Sequence, residues 1–113
     1  MNFVVEYKGA LTRDFCQHVI DKFEADDRKH DGVVGGGYDP TRKRSEDLLI
    51  SGLDDWTEED HVFLSSLERH ILSYVEDVVA PCFWGFLDPY DSGYQIQKTE
   101  PGGFYKPHND YHC

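Results

Sequence analysis

Cysteine is scarce in this chain, and Cys16, Cys82 and Cys113 stand too far apart for a CxxC metal motif. Their number is odd, which excludes a fully paired disulfide framework and leaves a reducing cytoplasm as the expected location. Basic charge is short as well. Eleven Lys and Arg face 22 Asp and Glu, giving a formal charge of −11, so the average surface repels phosphate backbones and anionic membranes. Neither nucleic acid nor a membrane is an expected partner. No apolar run approaches the roughly 20 residues of a membrane span, and the start MNFVVEYKGAL lacks the charged-then-apolar order of a secretory leader. Gly35, Gly36 and Gly37 form a run but lack the GxxxxGK[ST] spacing of a phosphate loop. Repeats and low-complexity segments are missing too.

What remains is an ordinary globular balance. Apolar residues make up 39% and aromatics 14% of 113 residues, enough for one modest core, so residues 1–113 are expected to form a single domain. A short extended start, NFVVEY, precedes LTRDFCQHVIDKFEADDR, whose Phe15, Cys16, Val19, Ile20 and Phe23 predict an amphipathic helix capped by Thr12. His18 falls at the edge of that stripe and reads as a boundary residue. TRKRS at 41–45, followed at once by Glu46 and Asp47, reads as a solvated loop, with Arg42 or Arg44 open to a small anion. DLLISGL predicts a strand.

TEED at 57–60 predicts a second helix capped by Thr57, its carboxylates complementing the helix dipole. Its broad apolar face runs through Phe63, Leu67, Ile71, Leu72 and Val78 to a stop at Pro81. His61 and His70 lie on opposite sides of that helix and are not expected to share a metal. PCFWGFLDPYDSG predicts an ordered aromatic loop, YQIQKT an alternating strand, and EPGG a turn.

The chemistry gathers at FYKPHNDYHC. On an extended segment, side chains at i and i+2 share a face about 6 to 7 Å apart, so His108 and Asp110 are expected to lean over one ion. An imidazole and a carboxylate suit a borderline divalent metal, and two histidines with one carboxylate make the facial triad of non-haem Fe(II) oxygenases. The same alternation puts His112 on that face, and His108, His112 and Cys113 would alternatively suit Zn²⁺.

The run YQIQKTEPGGFYKPHNDYH resembles the prolyl 4-hydroxylase-like branch of the 2-oxoglutarate- and Fe(II)-dependent dioxygenases, through Gly103, Tyr105, His108 and Asp110. The order of a short strand, a helix, the Arg-x-Ser-like KRSEDLL and a long helix is similar too. The resemblance implies an α+β fold, with N-terminal helices packed on part of a double-stranded β-helix of the jelly-roll or cupin kind. It implies that His108 and Asp110 bind Fe(II), that Tyr105 borders the metal pocket, and that Thr99 stands where the family often has a tyrosine contacting 2-oxoglutarate. Ascorbate is an accessory reductant in such enzymes.

In the family a distal histidine and a co-substrate-anchoring Lys or Arg follow on later strands. This sequence ends three residues after Asp110, so the chain is expected to be an N-terminal portion of the fold. On its own it is expected to be inactive or nearly so, and to associate as a homo-oligomer, because unpaired strand edges invite pairing. The implied reaction is hydroxylation coupled to decarboxylation of 2-oxoglutarate, with a protein or peptide substrate, peptidyl proline foremost. The alternatives are a non-catalytic binding or assembly module of the same fold and a small zinc protein.

Overall fold

A computed structural model of the protein describes residues 2–82 and 91–110. The fold is α+β, two helices with small open antiparallel sheets. Helix α1, Arg13–Ala25, starts as the sequence predicts: the Thr12 hydroxyl accepts a hydrogen bond from the Phe15 amide at 3.1 Å, satisfying one of the orphan donors of the first turn. Its buried stripe is narrower than the apolar pattern predicts. Val19 and Phe23 are buried, whereas Ile20 and Cys16 face out.

Helix α2, Thr57–Tyr74, departs from expectation at its start. A 3₁₀ turn at Asp54–Trp56 leads directly into it, so Thr57 is already helical and its hydroxyl donates back to the Asp54 carbonyl at 2.9 Å instead of capping. After Tyr74 the helix widens into a π turn, Val75–Val79. Its apolar face is also less covered than expected among the described residues, with Leu72 64% exposed. NFVVEY adds no strand to either sheet, and of the aromatic loop predicted across 81–93, residues 83–90 lie outside the described residues.

Strands β1 (His30–Asp31), β3 (Glu46–Leu49) and β4 (Gln95–Lys98) form one antiparallel sheet in the order β1-β3-β4. Leu48 pairs with Ile96, and the apolar side of this sheet meets α1. Trp56, Ile50, Leu48, Phe23 and Val19 make the core, with Phe15, Phe63, Tyr94 and Ile96 packed around it. Strand alternation sends Asp47 to the opposite side from Leu48, a point that matters below.

A second, two-stranded ribbon joins β2 (Lys43–Arg44) to β5 (Phe104–Tyr105). EPGG is the turn that delivers β5: the Gly103 amide donates to the Glu100 carbonyl at 2.7 Å, with Pro101 and Gly102 between them. Gly102 takes φ of +86°, the left-handed value this turn requires at its third residue. Gly103 is as constrained, because a Cβ there would lie 2.8 Å from the Arg44 carbonyl oxygen. TRKRS is therefore no solvated loop. Lys43 is 3% exposed and sits in a ribbon.

Candidate metal centre

The ribbon determines what stands at its open end. Lys43 lies opposite Tyr105 and Arg44 opposite Phe104, and the Lys106 amide extends the ladder by donating to the Arg42 carbonyl at 2.8 Å. Pro107 has no N–H to continue it, so the chain turns away from the strand there. Residues 106–110 accordingly lie outside any strand, and the expected β-alternation of His108 and Asp110 is absent.

The two side chains meet nevertheless, by a different route. Nδ1 of His108 is 2.9 Å from the Lys106 carbonyl oxygen. A carbonyl can only accept, so a proton is on Nδ1, and in the neutral form of the imidazole the lone pair is on Nε2. That nitrogen is 3.2 Å from Oδ1 of Asp110. The ring lies flat on Tyr105, with centroids 3.7 Å apart and planes 8° from parallel.

A nitrogen lone pair facing a carboxylate oxygen needs something positive between or on them. A proton on Nε2 serves, giving an ion pair. A divalent ion serves equally well: two ligand atoms about 2.1 Å from such an ion and at right angles sit about 3.0 Å apart, close to the observed separation. The other features also suit a metal ligand. Metal-binding imidazoles donate their second N–H to a carbonyl or carboxylate, which fixes tautomer and ring plane, and Lys106 provides that acceptor. The residues present thus fit a divalent cation as two adjacent ligands. Among the described residues no group of three or more His, Cys, Asp or Glu side chains converges on such a site. His112 and Cys113, candidates for a third ligand or for the zinc alternative, lie outside the described residues.

The pair borders a cleft of 630 Å³, walled by Val33, Val34 and Gly35 on one side and by Arg42, Tyr105 and Lys106 on the other. The valines come from a tight hairpin in which Val34 and Gly37 exchange hydrogen bonds at 2.9 and 2.8 Å. Arg42 reaches Asp39 only loosely, at 3.6 Å, and its side chain is 70% exposed. Asp39 itself is held below the usual carboxylate range first by the Thr41 side-chain and backbone hydrogen bonds, with Arg42 and Lys106 adding smaller attractions. The cleft is locally cationic despite the acidic whole. Tyr105 lines it. Thr99 does not: it is exposed at the end of β4, on the approach to the turn, with its methyl group close to Gly103.

Sequence reasoning missed the support beneath the site. Lys43, Ser45 and Asp47 alternate along one face. The Lys43 ammonium is 3.0 Å from Oδ2 of Asp47, while the Ser45 hydroxyl donates to Oδ1 at 2.8 Å. The signal was the spacing K-x-S-x-D, legible only if TRKRS is read as strand. No family model, curated protein or solved structure matches the chain. No helix among the described residues is long and apolar enough to cross a membrane.

Proposed function

We propose that the cleft beside His108 and Asp110 is the iron site of a 2-oxoglutarate- and Fe(II)-dependent dioxygenase, the jelly-roll type that the terminal motif resembles. The observation that carries this reading is the 3.2 Å approach of Nε2 of His108 to Oδ1 of Asp110, with Nδ1 committed to the Lys106 carbonyl. His108 and Asp110 would hold the iron, and ferrous iron when bound supplies the oxygen chemistry that couples decarboxylation of 2-oxoglutarate to substrate hydroxylation.

The chain's own residues have narrower tasks. The Lys106 carbonyl keeps the imidazole in the metal-binding tautomer. Tyr105 covers one face of that ring and, with Val33 and Val34, gives the cleft an apolar part to its wall. Arg42 and Lys106 place positive charge where a dicarboxylate co-substrate would lie. Thr99 is too far out on the turn to line that cleft and is left with a role through the turn alone. Two side chains leave iron weakly held, so a third ligand comes from outside the described residues, His112 among the candidates, or from the partner subunit of a homo-oligomer. Peptidyl proline in a protein or peptide is the substrate that the resemblance favours.

Coupled binding tests the reading. Mn(II), a redox-silent stand-in for Fe(II), should tighten 2-oxoglutarate binding to the protein in calorimetry, and Asp110→Ala should abolish that coupling. Metal binding with no effect on 2-oxoglutarate would contradict the dioxygenase assignment. Zn(II) bound far more tightly and lost in Cys113→Ser would favour the zinc alternative.

A further inference from the structure

We propose that Lys43, clamped by Asp47 and Ser45, is a positioning residue for the metal-binding imidazole and acts on it through the Tyr105 ring; as a statement about metal binding, this rests on the iron-site reading above.

The contacts form an unbroken series. Asp47 is 1% exposed and Lys43 3%, so neither charge is there for solvent's sake. Both carboxylate oxygens of Asp47 are used, one by the Lys43 ammonium at 3.0 Å and the other by the Ser45 hydroxyl at 2.8 Å. That same ammonium lies 4.8 Å from the centre of the Tyr105 ring, within cation–π range, and Tyr105 is its register partner across the ribbon. Tyr105 in turn stacks on His108 at 3.7 Å. The last step is the aim of Nε2 at Asp110.

A buried ion pair is a poor stabiliser compared with apolar residues of the same shape, because desolvation cancels much of the attraction. What an apolar pair cannot do is hold a cation at a fixed point over an aromatic face. Gly32 shows how closely the clamp is fitted. A Cβ there would fall 2.2 Å from the Ser45 hydroxyl and 2.9 Å from Cε of Lys43, so the clamp leaves no room for a side chain at residue 32. The Gly32 amide is held at that place by the Ser45 carbonyl at 2.9 Å. The neighbouring Arg44 makes a looser contact with Phe104, 5.7 Å from the ring, and nothing of the metal pair stacks on that ring. The tight rung of the ribbon is the one that leads to His108.

The test uses the whole chain and two readouts, the ring-current shift of the His108 carbon-bound protons in the metal-free protein and the affinity for Mn(II). Lys43→Met with Asp47→Asn removes both charges without leaving either unpaired. The stacked imidazole protons should move toward random-coil positions, and Mn(II) affinity should fall by about tenfold, the lower end for loss of an outer partner of a ligand. Gly32→Ala crowds the Ser45 hydroxyl first and the Lys43 side chain next, loosening the clamp with both charges retained, and should cause the same two losses, which keeps the test open if the double variant does not fold. Tyr105→Leu should abolish the ring-current shift, and adding the Lys43 and Asp47 changes to it should cost no further affinity. An unchanged shift and affinity in the Lys43 and Asp47 variant would overturn the proposal while leaving the metal site intact. If the wild-type protein binds no Mn(II) but the shifts respond as described, the iron-site reading fails and the positioning of His108 by Lys43 stands.

Discussion

Glu59 of α2 meets His18 of α1 at 2.7 Å and Lys22 at 3.0 Å, so one buried carboxylate ties two turns of the first helix to the second. His18 is thus a joint between helices, where the sequence pattern marks it only as a boundary position. Burial pushes the Glu59 carboxyl up, but the hydrogen bonds from His18 and Lys22 together outweigh that and hold it below its ordinary value. A carboxylate depressed in the folded state adds stability above its unfolded pKa and loses it as pH falls through the folded one. Glu59→Gln should therefore lower stability near neutrality by about 2 kcal/mol, less than a fully buried pair because both partners are partly exposed. It should also flatten the fall in urea midpoint as pH drops below the carboxylate range. An unchanged acid slope would contradict the pairing.

Trp56 is the largest fully buried side chain among the described residues, and its indole N–H donates to Asp26 at 2.9 Å. Arg28 donates to both oxygens of the same carboxylate, at 3.0 and 2.6 Å, and is the main reason that Asp26 stays far below the usual range, with Trp56 next. Asp26→Ala should strand the indole donor in the core and cost about 1–3 kcal/mol in chemical denaturation. Trp56 emission should change with it; a variant as stable as wild type would show that the donor finds another acceptor.

Gly103 cannot accept a side chain without moving backbone, since its two nearest neighbours are the Arg44 and Glu100 carbonyl oxygens at 2.8 and 2.9 Å. Gly103→Ala should open the ribbon at its turn and expose the Lys106 amide, whose acceptor is Arg42. Hydrogen exchange at Lys106 should accelerate, and Mn(II) binding should weaken with it. Normal protection at Lys106 would mean that the turn does not govern the site.

Arg42 is held in the cleft only by a 3.6 Å ion pair to Asp39, so Arg42→Ala should leave folding unchanged and weaken 2-oxoglutarate binding by about fivefold, the scale of an exposed charge contact. Calorimetry in the presence of Mn(II) measures it. Equal affinities would place the co-substrate elsewhere.

Local chemistry was legible where it needed only neighbours. The Thr12 cap, the EPGG turn and the alternation of Gln95–Lys98 follow from residues within a few positions of one another. The start of α2 misled because Asp54–Trp56 forms a 3₁₀ turn that takes the capping position from Thr57, and burial of Trp56 draws that turn into the core. Lys43 misled for a longer-range reason: Asp47 stands only four residues away, but Tyr105 becomes its partner only when β2 pairs with a strand from the other end of the chain. His108 and Asp110 were named from spacing, yet the spacing argument assumed a strand. What joins them is the His108 ring, held through Nδ1 on the Lys106 carbonyl with Nε2 toward Asp110, a contact between side chain and backbone that no residue pattern encodes.

The most direct measurement is anaerobic Fe(II) or Mn(II) titration of the wild-type chain beside His108→Ala and Asp110→Ala. The account predicts one saturable site per chain in the wild type, lost in both variants, with imidazole nitrogen hyperfine coupling in the wild-type Mn(II) spectrum. No saturable site, or one that survives both substitutions, would contradict it.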